Sequence, residues 1–202
     1  MKKISWMIGL VLFPLLIGTG CGEKEKTDQG RLIAFDKTKR TITLIRDKKA
    51  NALSPDYSQL PPITYCLVKD FLESEPEMRV GLRMKLDTEK NRIHIYDPAG
   101  HTFQTIVYSV LDKKENIAIE NPLVFDTENK KPKLFPVVDR ERKMITIYSR
   151  RQRILTTFTL PEKYFKLPDN TWDAGDDIRV FYKEEGKALR ILNITRLGFM
   201  KD

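Results

Sequence analysis

Cys21, Cys66, His94, His101 and the trio Asp173, Asp176 and Asp177 are the residues of this 202-residue chain whose types allow chemistry beyond packing. Nucleophilic catalysis needs a nucleophile with a base in reach and a group that orients the base. Two histidines and no Gly-x-Ser-x-Gly elbow supply little of that, so a hydrolase is not expected. Cys66 lacks a Cys-x-x-Cys partner, which removes covalent haem attachment and dithiol exchange. It reads as a lone thiol on a strand. The three aspartates beside Trp172 do not follow the alternate spacing around a glycine that a calcium loop wants. They read as a charged turn before a strand, and no cofactor or metal is expected. Arg150, Arg151 and Arg153 make a basic turn, reinforced in sequence by Lys130, Lys131, Lys133, Arg140, Arg142 and Lys143. Such a patch can hold polyanions, although Asp139 and Glu141 interrupt it. Tyr57, Tyr164, Phe165 and Trp172 are rings that could line a sugar site or pack loops.

Cys21 carries the strongest signal. Met1-Lys2-Lys3, an apolar run from Ile8 to Ile17 and Gly18-Thr19-Gly20 precede it. This is a positive n-region, an h-region and a small-residue cleavage site. The run is interrupted by Pro14 and falls short of the ~20 residues that span a bilayer. A cysteine directly after the small residues resembles a bacterial lipobox. The resemblance implies cleavage before Cys21 and acylation of its thiol, with the lipid bilayer as first partner. Gly18 departs from the Leu, Val or Ile usual three residues before the cysteine, and the apolar character is displaced to Leu16 and Ile17. The alternatives are secretion with a free Cys21 and an uncleaved anchor helix. Gly22 stands where Asp would imply inner-membrane retention, so the resemblance favours the periplasmic face of an outer membrane.

Without Lys2 and Lys3, the 36 basic residues become 34 against 28 acidic ones. This mild excess favours anionic glycans or lipids over nucleic acid as partners. At 41% hydrophobic residues, the chain can build a core.

Residues 1–20 read as the signal peptide and 21–29 as a polar tether reaching ~30 Å at most, at ~3.3 Å per residue. The remainder reads as two β-modules, 30–126 and 127–202, because its elements recur. Leu32 to Leu44 and Phe135 to Ile147 are each an apolar run, an Asp, charged residues and an alternating strand. Ile63-Thr64-Tyr65-Cys66-Leu67 parallels Thr156-Thr157-Phe158-Thr159-Leu160. Gly81 and Gly175 each precede an alternating strand, and Arg92 to Tyr96 parallels Ala188 to Leu192. The recurrence points to duplication. Asp36 and Asp139 should start hairpin turns by bonding their own backbone. Arg46 to Pro62 reads as a long loop, His101 to Leu134 as linking strands, and Pro161 to Pro168 as one helical turn.

This order of a hairpin, a third strand, a glycine bend and a closing hairpin resembles OB-like small β-barrels. The resemblance implies an all-β protein of two tandem, duplicated five-stranded barrels with ligands on an open face or loops. The chain as a whole also resembles bacterial lipoprotein families of uncharacterised function, which bring no activity. The function expected is a membrane-anchored, non-enzymatic binding module for an envelope protein or anionic ligand, with Arg150, Arg151 and Arg153 as ligand contacts. The alternative is a structural or assembly scaffold of the envelope.

Overall fold

The computed structural model describes residues 24–51, 55–68 and 78–199. Cys21, the expected signal peptide and the start of the expected tether lie outside them. Among the described residues no helix is long and apolar enough to cross a membrane.

Fourteen named strands run β1 Lys26–Asp36, β2 Thr41–Arg46, β3 Ile63–Cys66, β4 Arg83–Asp87, β5 Arg92–Asp97, β6 Thr102–Val107, β7 Ser109–Lys114, β8 Phe125–Asp126, β9 Lys131–Pro132, β10 Val137–Asp139, β11 Met144–Ser149, β12 Ile154–Thr159, β13 Asp177–Tyr182 and β14 Ala188–Asn193. A 3₁₀ turn, Glu162–Lys166, and a terminal helix α1, Ile194–Phe199, accompany them. The protein is β-rich. Its helical turn falls where the Pro161–Pro168 segment predicts it.

One local rule makes most of the hairpins. An aspartate ends a strand, its carboxylate accepts a backbone N–H two or three residues on, and the residue four positions on is left-handed. Asp36 accepts from Lys39 N at 2.9 Å, Asp87 from Lys90 N at 2.9 Å and Asp139 from Arg142 N at 2.8 Å. Asp97 accepts from Ala99 N at 3.0 Å and Asp126 from Asn129 N at 3.1 Å. The left-handed residues are Arg40, Asn91, His101, Lys130 and Lys143, with φ from 47° to 54°. Each turn is a four-residue hairpin loop closed by a left-handed residue, with the aspartate paired to the residue five positions on.

The repeated elements pair in the same register. Ile42, Thr43 and Leu44 of β2 face Tyr65, Thr64 and Ile63 of β3. Ile145, Thr146 and Ile147 of β11 face Phe158, Thr157 and Thr156 of β12. The hydroxyls of Thr43 and Thr64 meet at 2.9 Å, and so do those of Thr146 and Thr157.

The sheets do not follow the expected division at residue 126. The five-stranded sheet has the order β14-β13-β1-β2-β3, so the last hairpin of the chain pairs with its first strand. The four-stranded sheet, β10-β11-β12-β7, takes β7 from before the boundary. A three-stranded sheet, β4-β5-β6, and the ribbon β8-β9 complete the set. The expected closed barrels are therefore corrected to open antiparallel sheets. In the five-stranded sheet the edges approach at one place, where Cys66 N donates to Gly186 O at 2.8 Å and a parallel bridge joins Cys66 to Lys187.

The apolar cores likewise join residues distant in sequence. Leu32, Leu44 and Tyr65 pack with Ile178, Val180 and Ile191 from the end of the chain. Leu86, Ile93 and Ile95 pack with Ile145, Ile147 and Phe158. The alternating strands bury one face each, and the hairpin that covers each three-strand element comes from the other half. The two connecting passages cross at Gly81 and Gly175. Asp176 N donates to Arg79 O at 2.8 Å and Arg83 N to Asp173 O at 2.9 Å, so the passages run antiparallel. A Cβ on Gly81 would lie 2.2 Å from Gly175 N. Gly175 sits at φ +67°, which side-chain-bearing residues rarely adopt. The left-handed glycine expected before β13 is present at Gly175, whereas Gly81 before β4 has no positive φ, and the two glycines touch.

Candidate functional site

Three aspartates and three arginines gather at the crossing. Asp173 receives Arg79 Nη2 at 2.6 Å and the backbone of Gly175 at 2.9 Å. Asp176 is buried and accepts from Asn193 Nδ2 at 2.7 Å and from Arg79 N at 3.0 Å. Asp177 accepts the Tyr57 hydroxyl and lies 3.5 Å from Arg31 Nε. Asp173 and Asp176 are thus engaged by Arg79 of the facing passage, and Asp177 by Tyr57 and Arg31 beside the crossing, so the charged-turn reading is refined into a locking role. Arg31 also donates to Ala174 O at 2.6 Å and to the Tyr57 hydroxyl at 3.0 Å. Burial opposes its charge, yet Asp177 and Tyr57 hold its pKa above the ordinary value.

Arg83 is different. It points from β4, half-buried, and its Nε donates to Trp172 O at 2.8 Å. Among the described residues no carboxylate lies within ion-pair distance of it. Burial, together with Arg31, Arg79 and Arg151, pushes its pKa down to about 10, while Asp173 opposes the shift. A partly desolvated cation among like charges is the condition that an added anion relieves.

The sequence-predicted arginines are reached from here. Arg150, Arg151 and Arg153 occupy the β11–β12 turn, in which Arg153 N donates to Arg150 O at 3.2 Å and Arg153 is left-handed at φ 53°. The fold brings this turn to β4. Arg151 acts on Arg83, and Gln152 joins Lys85 through Lys90 around a polar depression of about 310 Å³. The outward residues of β4 and β5 add Lys85, Arg92 and His94. Burial, Lys85 and Arg92 lower the pKa of His94, with Asp87 opposing. The other basic residues named from sequence do not join the group. Arg140, Arg142 and Lys143 lie at the far end of β11, paired with Asp169, Asp139 and Glu162 at 2.6, 3.9 and 3.2 Å. A hairpin places its two ends a strand length apart, so the patch continuous in sequence is split in space. Arg83 itself was missed, because one arginine in an alternating strand carries no sequence signal of its poor neutralisation.

A second concavity, of about 500 Å³, lies between the β5–β6 hairpin and the Lys163–Thr171 segment. Its walls are chiefly apolar, including Leu82, Ile95, Tyr96, Tyr164 and Leu167, with Asp97 and Lys163 as the charged groups. Of the four rings proposed from sequence for a ligand site, Tyr164 lines this cleft. Tyr57, Phe165 and Trp172 are buried packing residues. Cys66 is exposed on β3.

Comparison with known proteins adds one finding. No curated protein and no solved structure matches the chain. Residues 23–202 match the model of a domain of unknown function, so the chain belongs to the family described as domain of unknown function DUF4881.

Proposed function

We propose that this protein is a lipid-anchored, non-enzymatic binding protein of the bacterial cell envelope, held by acylated Cys21 and recognising an anionic ligand on the face formed by β4, β5 and the β11–β12 turn. The leader before Cys21 supports the anchor, and the outer-membrane periplasmic face is the leaflet favoured by Gly22. The observation that carries the ligand class is Arg83. It is a guanidinium beside Arg151, Arg79 and Arg31 with a single carbonyl as its hydrogen-bond partner. Guanidinium groups match phosphate and carboxylate bidentately, so either chemistry suits the face.

On this reading the fold is a duplicated OB-like unit whose closing hairpins are exchanged between the halves. The identical β2–β3 and β11–β12 registers and the meeting of Gly81 with Gly175 support it.

The test uses the full chain in a bacterial host. Cys21→Ser should move the protein from the membrane to the soluble fraction and remove the acyl mass from the intact protein. With that soluble form, inorganic phosphate, anionic phospholipid vesicles and lipopolysaccharide are titrated separately. Arg83→Gln and Arg151→Gln should each weaken the binding partner tenfold or more, while Arg142→Gln should not. Equal binding by all variants would remove the site.

A second reading, an assembly scaffold, is favoured by β6 and β7. They are consecutive edge strands of different sheets, and Val107, Val110 and Leu111 are 62%, 38% and 53% exposed. An unpaired edge with apolar side chains can accept a partner strand. In-cell crosslinking that recovers one reproducible envelope protein, lost on Leu111→Lys, would favour this reading.

A further inference from the structure

The cleft beside Tyr164 has a charge arrangement that its apolar walls do not need. Asp97 enters it from the β5–β6 turn and Lys163 from the opposite wall. Asp97 accepts Ala99 N at 3.0 Å and Gln104 Nε2 at 2.7 Å, and no cation of the described residues lies within ion-pair distance. Lys163 holds its ammonium 4.9 Å from the centre of the Tyr164 ring and likewise has no carboxylate within that distance. A carboxylate-bearing and an ammonium-bearing residue therefore line one chiefly apolar space without pairing with each other. The space, about 500 Å³, falls within the range of small-molecule sites.

We infer that this cleft binds a short apolar peptide with free ends, its amino group on Asp97, its carboxylate on Lys163 and its side chains against Tyr96, Tyr164 and Leu167. Complementary charge selects this class. A lone anion or cation would satisfy one wall and be repelled by the other. An acyl chain or a neutral sugar would leave both charges without a counter-ion. Two opposite charges on one ligand answer both, and an apolar body between them matches the walls. The site is separate from the Arg83 face, and its occupancy does not depend on the anion reading.

The test is calorimetric titration of the soluble Cys21→Ser chain with the dipeptide Leu-Leu, its N-acetyl form and its C-terminal amide. Saturable binding of Leu-Leu is expected, with each blocked form at least tenfold weaker. Asp97→Asn, which keeps an oxygen for Ala99 N, should erase the discrimination against acetylation alone. Lys163→Met should erase the discrimination against amidation alone. The blocked ligands on the unaltered cleft need no folded variant, so the test stands even if a substitution harms folding. No saturable binding at millimolar Leu-Leu, or equal affinity for free and blocked forms, overturns the inference. In the latter case the cleft takes an internal apolar segment instead.

Discussion

At the scale of single residues, Gly81 and Gly175 are tightly constrained positions. They occupy the same place in the sequence pattern, two residues before a strand, and each excludes a side chain for its own reason. Gly175 is held at φ +67°, and a Cβ there would also lie 2.6 Å from Gly81 N. Gly81 needs no unusual backbone, but a Cβ would meet Gly175 N at 2.2 Å and Asp173 O at 2.4 Å. Backbone cannot yield as a flexible side chain can. Gly175→Val and Gly81→Val should each cost roughly 1–3 kcal/mol or more in chemical denaturation. A loss of only a few tenths for either would show that the passages do not cross as described. Asp176 beside them is a buried carboxylate satisfied by Asn193 and the Arg79 amide, which is why a buried charge is tolerated there.

At the scale of elements, the aspartate-led hairpin turn is the recurring device. It was legible in the sequence, since Asp36 and Asp139 were readable as turn starters. The same offset recurs at Asp87, Asp97 and Asp126. Backbone hydrogen bonds from Lys39 and Lys90 are the first causes that hold the carboxyls of Asp36 and Asp87 below their ordinary pKa, and the Asn129 side chain is the first for Asp126. The sign follows from linkage: a carboxyl more acidic when folded contributes stability above its unfolded pKa of 3.8, and this is lost as pH falls through the lower folded value. Urea midpoints measured between pH 6 and pH 3 should therefore fall. Replacing Asp36, Asp87 and Asp126 together by Asn, which retains a side-chain acceptor, should flatten that dependence. An unchanged slope would assign the acid sensitivity elsewhere.

At the scale of the whole molecule, sheets and cores built from strands distant in sequence make the parts before and after residue 126 depend on each other. Without residues 127–202, β1 loses β13, and the core around Leu32 and Tyr65 loses Ile178, Val180 and Ile191. Without the first half, β12 loses β7, and the core around Ile145 and Phe158 loses Ile93 and Ile95. Removing several large buried side chains at once exceeds the stability of a typical domain, at about 2–5 kcal/mol for each Leu or Ile truncated to Ala. Neither half, expressed alone, should unfold cooperatively, and the two halves expressed together should associate and recover a sigmoidal melt. A sharp melt from 127–202 alone would sink the exchange. Pairing of the sequence-distant strands β1 with β13 and β7 with β12 also places this fold among those that form slowly.

The sequence by itself determined the β-rich class, the recurrence of the elements, the aspartate turns and the glycine at the bend before β13. These are local matters: period-two alternation, carboxylates that bond their own backbone and residues without a Cβ act over a few positions. Tertiary structure decided which strands share a sheet. Alternation states that a face must be covered, and it is silent on which of two similar hairpins covers it. Tertiary structure also decided the candidate sites. Arg83 became a poorly neutralised cation only when the fold brought Arg31, Arg79 and, from the β11–β12 turn, Arg151 around it, and Asp97 and Lys163 came to share a cleft from positions 66 residues apart. Charge and apolar surface act through space, and the proximity that gives them meaning comes from the folded chain.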